Sequence, residues 1–295
     1  MIKKSILIPA LAVLLSLAAL AGQSDYVKEI EKWRQKEEAD LQKEKGWLSV
    51  AGLFWLKDGV NTIGVGPEFD VRLTDNFKTG GKFGAIEFRN GVATLTVEKG
   101  VEAQSDGQPV SSVDLVPDTK GKATEIRTGS QTFYLIQRED RFGIRLKDSQ
   151  SEARRNFKGQ QWFPVDESYK VIARLEPFPE PKELLVPNVL GGHFKEKTPG
   201  VLKFTLKGKE CALQPIVQED GSLFLVFHDS SNDHETYISG RFLDAAAPVN
   251  GETVLDFNKA ENPPCAFTPF ATCPLPPPGN DLAVAVLAGE KRYDH

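Results

Sequence analysis

The chain has 295 residues, 40% of them hydrophobic and 26% charged, which is the composition of a folded globular protein and not of a disordered or fibrous one. Acidic side chains number 41 against 36 basic ones, for a formal net charge of −5, so the basic excess that holds nucleic acid by its phosphates is missing. Three cysteines and one methionine exclude a disulfide-dense scaffold and a Met-rich adaptable groove, and the length suffices for a core without either.

Residues 1–21 read as a secretory signal peptide. Lys3 and Lys4 give the positive start, SILIPALAVLLSLAALA the apolar run, and Ala19-Leu20-Ala21 a small-x-small cleavage site before Gly22. An uncleaved anchor is the alternative, because the run approaches the roughly 20 residues that cross a bilayer. Pro9 and the cleavage triplet favour removal, so the expected location is periplasmic or secreted, with no transmembrane span once the signal is gone. Residues 22–46 are expected to be a helix, with Ser24 as its N-cap and Gly46 as its stop. Val27, Ile30, Trp33 and Leu41 form a narrow apolar stripe suited to lying on a sheet.

From residue 47 to 148 the texture changes to short strands and turns. Asn90-Gly91 between KFGAIEFR and VATLTVE predicts a tight hairpin. In RFGIRLKD, Phe142, Ile144 and Leu146 alternate with Arg141, Arg145 and Lys147, as in a half-buried strand. Such a succession without helices indicates a β-sandwich. Residues 149–168 form a connector. Over 169–295 the predicted strands are YKVIARLE, GVLKFTL, ECALQPIV, SLFLVFHD, ETYISGRFL, TVLDFN and LAVAVLAG, broken by the Pro177–Pro181 run and a second Pro-rich stretch at 274–278.

Two resemblances follow from this wording. The run GVNTIGVGPEFDVRL, KFGAIEFRNGVATLTVE, DGQPV and RTGSQTFYLIQR is similar in layout to a forkhead-associated domain, a β-sandwich family that binds phosphothreonine peptides. At the places of that family's Arg, Ser, His and Asn stand Val65, Gly81, Gly84 and Asp106, so the resemblance implies the fold without the phosphate grip. The LDFN, NPPCAF and TCPLPP motifs, with GWLSVAGLFWLKDG and QQWFPVD, resemble the uncharacterised bacterial and archaeal family catalogued as domain of unknown function 1684. Glu261 and Gly279 depart from its pattern. The fold expected is mostly β: an N-terminal helix, a forkhead-associated-like β-sandwich, and a second β-rich, barrel-like domain.

Strand parity nominates a polar cluster. Asp229, Tyr237, Arg241, Asp256 and Asn258 are expected to converge at one end of a sheet, with Asn262 beside them in the ENPPC loop and Arg241 serving either carboxylate. This is a candidate ligand pocket, and an ion-paired structural cluster is the competing reading. Cys265 and Cys273 allow a disulfide in an oxidising compartment, a pair of packed thiols, or a nucleophile. No metal site is expected, because His228, Asp229, Asp233 and His234 lack a ligand spacing, and no cofactor motif is present. The expected function is small-ligand binding in the cell envelope. The alternatives are a hydrolase using Asp256 or Asp229 with Arg241, and a structural envelope module. The motifs name no protein partner.

Overall fold

The computed structural model describes residues 10–77 and 81–293, with side chains from Asp25 onward, so residues 1–9 of the expected signal peptide lie outside the described residues. The N-terminal helix runs from Ala10 to Leu41, so the expected N-cap position 24 lies inside the helix and not at its start; turns carry the chain from Gln42 to Gly46. Among the described residues no helix is long and apolar enough to cross a membrane.

Alternating strands build a two-sheet sandwich over residues 50–148. One sheet has the order Val50–Trp55, Arg141–Asp148, Gln131–Arg138, Glu125–Thr128, Gln104–Ser105, Gln108–Pro109. The other has the order Val71–Arg72, Gly59–Gly64, Lys82–Arg89, Val92–Val97, Ser112–Asp114. The expected hairpin is present: Arg89 faces Val92 across Asn90 and Gly91, whose φ angles of 52° and 77° are those that a two-residue turn requires. Ile63, Phe83, Ile86, Leu95, Ile126, Phe133, Leu135, Ile144 and Leu146 fill the space between the sheets. Period-two burial on both inner faces is what holds the layers together.

The second part is β-rich as expected, and its sheets remain open. One has the order Lys209–Leu213, His193–Leu206, Lys170–Pro187, Glu252–Asp256. The other runs Ile216–Val217, Leu223–Asp229, Arg241–Ala245, with Asp281–Leu282 parallel to Leu223–Asp229. No closed barrel forms among the described residues; Leu202, Phe204, Leu225, Phe227, Leu255, Phe257 and Val286 make a core between two layers instead.

Three strand boundaries differ from the sequence reading. Pro177–Pro181 does not end a strand. The pairing jumps from Pro177↔Gly200 to Lys182↔Thr198, so the residues lacking N–H donors bulge out and the ladder resumes. ETYISGRFL is half turn: residues 230–240 form loops and only Arg241–Ala245 is strand. Past Leu282 the LAVAVLAG stretch pairs with no neighbouring strand, although Val284, Val286 and Ala288 alternate into the core.

The N-terminal helix lies on the second part. Ile30 is fully buried, Trp33 meets Trp162 edge to face with centroids 5.6 Å apart, and Arg34 Nη2 donates to Phe163 O at 3.0 Å. Beyond the helix, Lys45 pairs with Glu125 of the sandwich. These contacts, with the strand Arg141–Asp148 turned toward the second part, bring the two halves together.

Candidate functional site

The residues nominated by strand parity separate into three places. Arg241 and Asp229 form the first, and neither side chain is exposed. Arg241 Nη2 donates to Asp229 Oδ2 at 2.9 Å and to Val286 O at 2.8 Å, while Nη1 donates to Ala288 O at 2.6 Å and Glu290 O at 3.3 Å. Asp229 Oδ1 accepts from the amides of Ser231 at 2.8 Å and Val286 at 3.0 Å. The carbonyls of alternate residues 286, 288 and 290 thus face a guanidinium where a sheet would place a strand. Gly240 enters this strand at φ 90°, and a Cβ there would stand 2.6 Å from Phe227 O. Both terminal nitrogens of the guanidinium are paired with the carboxylate or the backbone, and only Nε has no partner, which is the arrangement of a structural clamp.

Asp256 and Asn258 form the second place, because Asp256 ends its strand and Asn258 lies in the following short helix. The Tyr26 hydroxyl donates to Asp256 Oδ1 at 2.9 Å, Asn258 Nδ2 donates to Asp166 O at 2.9 Å, and Asp166 N returns a bond to Asn258 Oδ1 at 2.9 Å. Burial first, and then the hydrogen bond to the Asp256 carboxylate, raise the Tyr26 phenol. The expected Asp256–Arg241 pair is absent among the described residues, since this cluster fastens the N-terminal helix.

Asn262 and Tyr237 lie elsewhere. Asn262 Nδ2 donates to Lys291 O at 2.8 Å, and its backbone N–H donates to Glu290 Oε2 at 2.8 Å. Tyr237 packs with Phe267 and Ala266, and burial raises its phenol. It does not share a strand with Arg241. Cys265 and Cys273 are free thiols, and Cys265 N donates to Cys273 Sγ at 3.2 Å, so the expected disulfide is not formed. Cys273 S–H donation favours the Cys265 thiolate, and the second thiol of the pair then holds its proton more tightly.

A cleft of about 410 Å³ opens between the sandwich and the second part. Trp47, Arg138 and Arg145 come from the sandwich side, and Val186, Phe194, Glu196, Ile216, Phe224, Phe242, Thr272 and Cys273 from the other. Arg145 faces Leu53 and Tyr134 in register and sits on the outer face of its sheet, yet it is only 3% exposed because the second part covers it. Its guanidinium lies 5.3 Å from the Trp47 ring centroid and Nη2 donates to Thr272 Oγ1 at 3.2 Å; Nε has no partner. Among the described residues no carboxylate forms an ion pair with Arg145. Arg138 is different: Nη1 reaches Asp118 at 2.9 and 3.1 Å, and Nε donates to the same Thr272 hydroxyl at 3.0 Å. Burial alone pushes the Glu196 carboxyl up.

Sequence reasoning passed over Arg145 because alternation marked it as a solvated partner of Ile144 and Leu146. Alternation shows which side of a strand faces its own core. It does not show that another part of the chain covers the reverse side.

Residues 155–291 match the family described as protein of unknown function (DUF1684). Over these residues the chain belongs to this family. The DUF1684 match contains the Arg241 clamp, the cysteine pair and one wall of the cleft, while Arg138 and Arg145 precede it. A solution NMR structure of an uncharacterized protein from gene locus rrnAC0354 of Haloarcula marismortui is similar, with 30% identity over 47% of this chain and 78% of that one and a TM-score of 0.40. The FhaA FHA domain, solved in complex with the intracellular domain of Rv3910, is 21% identical over 32% of this chain and 97% of its own, with a TM-score of 0.23. An FHA chain from work on phosphothreonine-dependent interactions gives the same identity and TM-score over 32% and 92%. No curated protein matches the chain.

Proposed function

We propose that this DUF1684 member is an exported small-ligand-binding protein whose site is the cleft between its two β-rich parts. The observation that carries the reading is Arg145. A guanidinium taken out of water without a carboxylate forgoes hydration worth several kcal/mol, and the Trp47 ring and one Thr272 hydroxyl return only part of it. A hydrophobic residue in its place would pack the two parts together at lower cost. An anionic occupant of the cleft restores the missing partner, and the cleft volume falls within the usual size range of small-molecule sites. The export half of the reading rests on Lys3, Lys4, the apolar run and the Ala19-Leu20-Ala21 triplet.

A thermal-shift panel of sugars, nucleotides, carboxylates and metal ions tests the binding half. A ligand at 100 times its Kd adds about 2.7 kcal/mol to stability, enough to raise Tm by several degrees. Arg145→Met should abolish the shift. A panel without any shift refutes the reading. Cell fractionation with mass analysis tests export: a chain beginning at Gly22 outside the cytoplasm is expected, and an intact Met1 terminus in the cytoplasm refutes it.

A further inference from the structure

We propose that the cleft takes an apolar monocarboxylate, with its carboxylate seated at Arg145. The inference rests on the cleft being a binding site and adds the chemistry of the occupant. A count of charges supports a single negative charge. Arg138 borders the same space, but Asp118 already neutralises it at 2.9 Å. Arg145 is the cation left over, and one carboxylate balances it. A phosphate monoester dianion would bring a second negative charge for which the cleft has no further unpaired cation, since burial already disfavours the charged form of the Glu196 carboxyl beside it.

The polar geometry fits a planar anion. The Thr272 hydroxyl accepts from Arg138 Nε at 3.0 Å and from Arg145 Nη2 at 3.2 Å. Its own hydrogen is thereby left to donate to a carboxylate oxygen. A guanidinium presents a flat fork that matches the two oxygens of a carboxylate. Cys273, next in the chain, borders the cleft with a thiol held up in its protonated form, so it adds no competing negative charge.

The rest of the lining specifies the body of the ligand. Val186, Phe194, Ile216, Phe224 and Phe242 present apolar surface to the cleft, with Phe224 and Phe242 packed edge to face at 4.9 Å. Such walls reward an alkyl or aryl group and offer few partners to the many hydroxyls of a sugar. The walls come from both parts of the chain, so an occupant touches the sandwich through its head and the second part through its body.

Isothermal titration with four probes tests this: octanoate, 4-phenylbutyrate, octanol and octyl phosphate. The wild-type protein should bind at least one of the two carboxylates about tenfold or more tightly than octanol, which the charge-assisted bond at Arg145 provides. Arg145→Met should remove that advantage and leave octanol binding unchanged. The wild-type comparison of acid with alcohol stands even if the variant fails to fold. Equal binding of octanol and octanoate overturns the carboxylate assignment and leaves the cleft as a binding site. Tighter binding of octyl phosphate than of either acid overturns the single-charge assignment. Failure of every probe, joined by failure of the wider thermal-shift panel, overturns the cleft reading itself; failure of these probes alone overturns only the class named here. Preference between octanoate and 4-phenylbutyrate distinguishes an alkyl from an aryl body, and binding of either supports the proposal.

Discussion

Replacing Glu290 with glutamine should flatten a fall in stability that the wild-type protein shows between pH 5 and pH 8. Glu290 is 1% exposed, accepts the Asn262 amide on Oε2, and has no hydrogen-bond partner on Oε1. Burial pushes its carboxyl from the ordinary 4.5 to about 7, against the pull of that amide and of Arg241. Nearby Glu261 rises to about 8, first from burial and then from Glu37, Glu290 and Asp244. The folded chain therefore holds these protons more tightly than the unfolded chain. Their stabilisation is complete below 4.5 and is lost as pH climbs through 7 and 8. At about 1.4 kcal/mol per pH unit, the interval from 4.5 to about 7 makes the Glu290 share about 3 kcal/mol. Asp70, Asp148 and Asp166, all lowered from 3.8, act only in more acidic solution and leave this window clear. Glu290→Gln keeps the shape and supplies an amide donor near the unpartnered oxygens of Gln160 and Asn262. Urea unfolding at pH 5, 6, 7 and 8, followed by tryptophan fluorescence, measures the slope in both proteins. Identical slopes, or a wild-type stability that rises across the window, would refute the reasoning.

Arg241→Met should cost about 3–5 kcal/mol in the same assay, because Asp229 and three carbonyls are left buried without their donor. Arg241→Lys should also be destabilising, since an ammonium lacks the fork; a loss under about 1 kcal/mol in both would show the clamp to be dispensable. Tyr26→Phe removes the hydroxyl shared by Asp256 and Asn258 and should cost about 1–2 kcal/mol, with faster proteolysis in the helix; unchanged stability and cleavage would show that the helix is held elsewhere. Iodoacetamide should label Cys265 before Cys273 and Cys211, as peptide mass mapping can follow, because Cys265 is the most exposed and its thiolate is the favoured one of the pair. Equal rates at the three positions would remove the basis for that order.

Local rules carried the sequence reading where local chemistry decides structure. The Asn90-Gly91 turn and the inward Phe142, Ile144 and Leu146 set could be read because a turn type and a two-residue period leave their mark in adjacent letters. The reading of Tyr237, Arg241, Asp256 and Asn258 as one cluster did not hold, since parity extends only as far as the strand. The strands start at Arg241 and stop at Asp256, which leaves Tyr237 and Asn258 on other elements. LAVAVLAG has the alternation of a strand and the burial to match, but its Val286 and Ala288 carbonyls meet the Arg241 side chain where a strand would stand, and no periodic signal exists for that. Arg145 and Thr272 are 127 positions apart, and their meeting depends on how two separately patterned halves dock.

The Arg241 clamp bears on the order in which the chain can mature. The strand that carries Arg241 is translated well before residues 286–290, whose carbonyls receive its guanidinium. Until those residues arrive, the apolar faces of Leu225, Phe227 and Leu243 have no cover from Val284, Val286 and Ala288, and the cation keeps its water. The sandwich, whose two sheets close by residue 148, needs nothing that comes later for its own core. During synthesis the first half can therefore be compact while the second remains open to solvent, and a chain ending before Val286 would present an unfinished hydrophobic surface to chaperones or proteases.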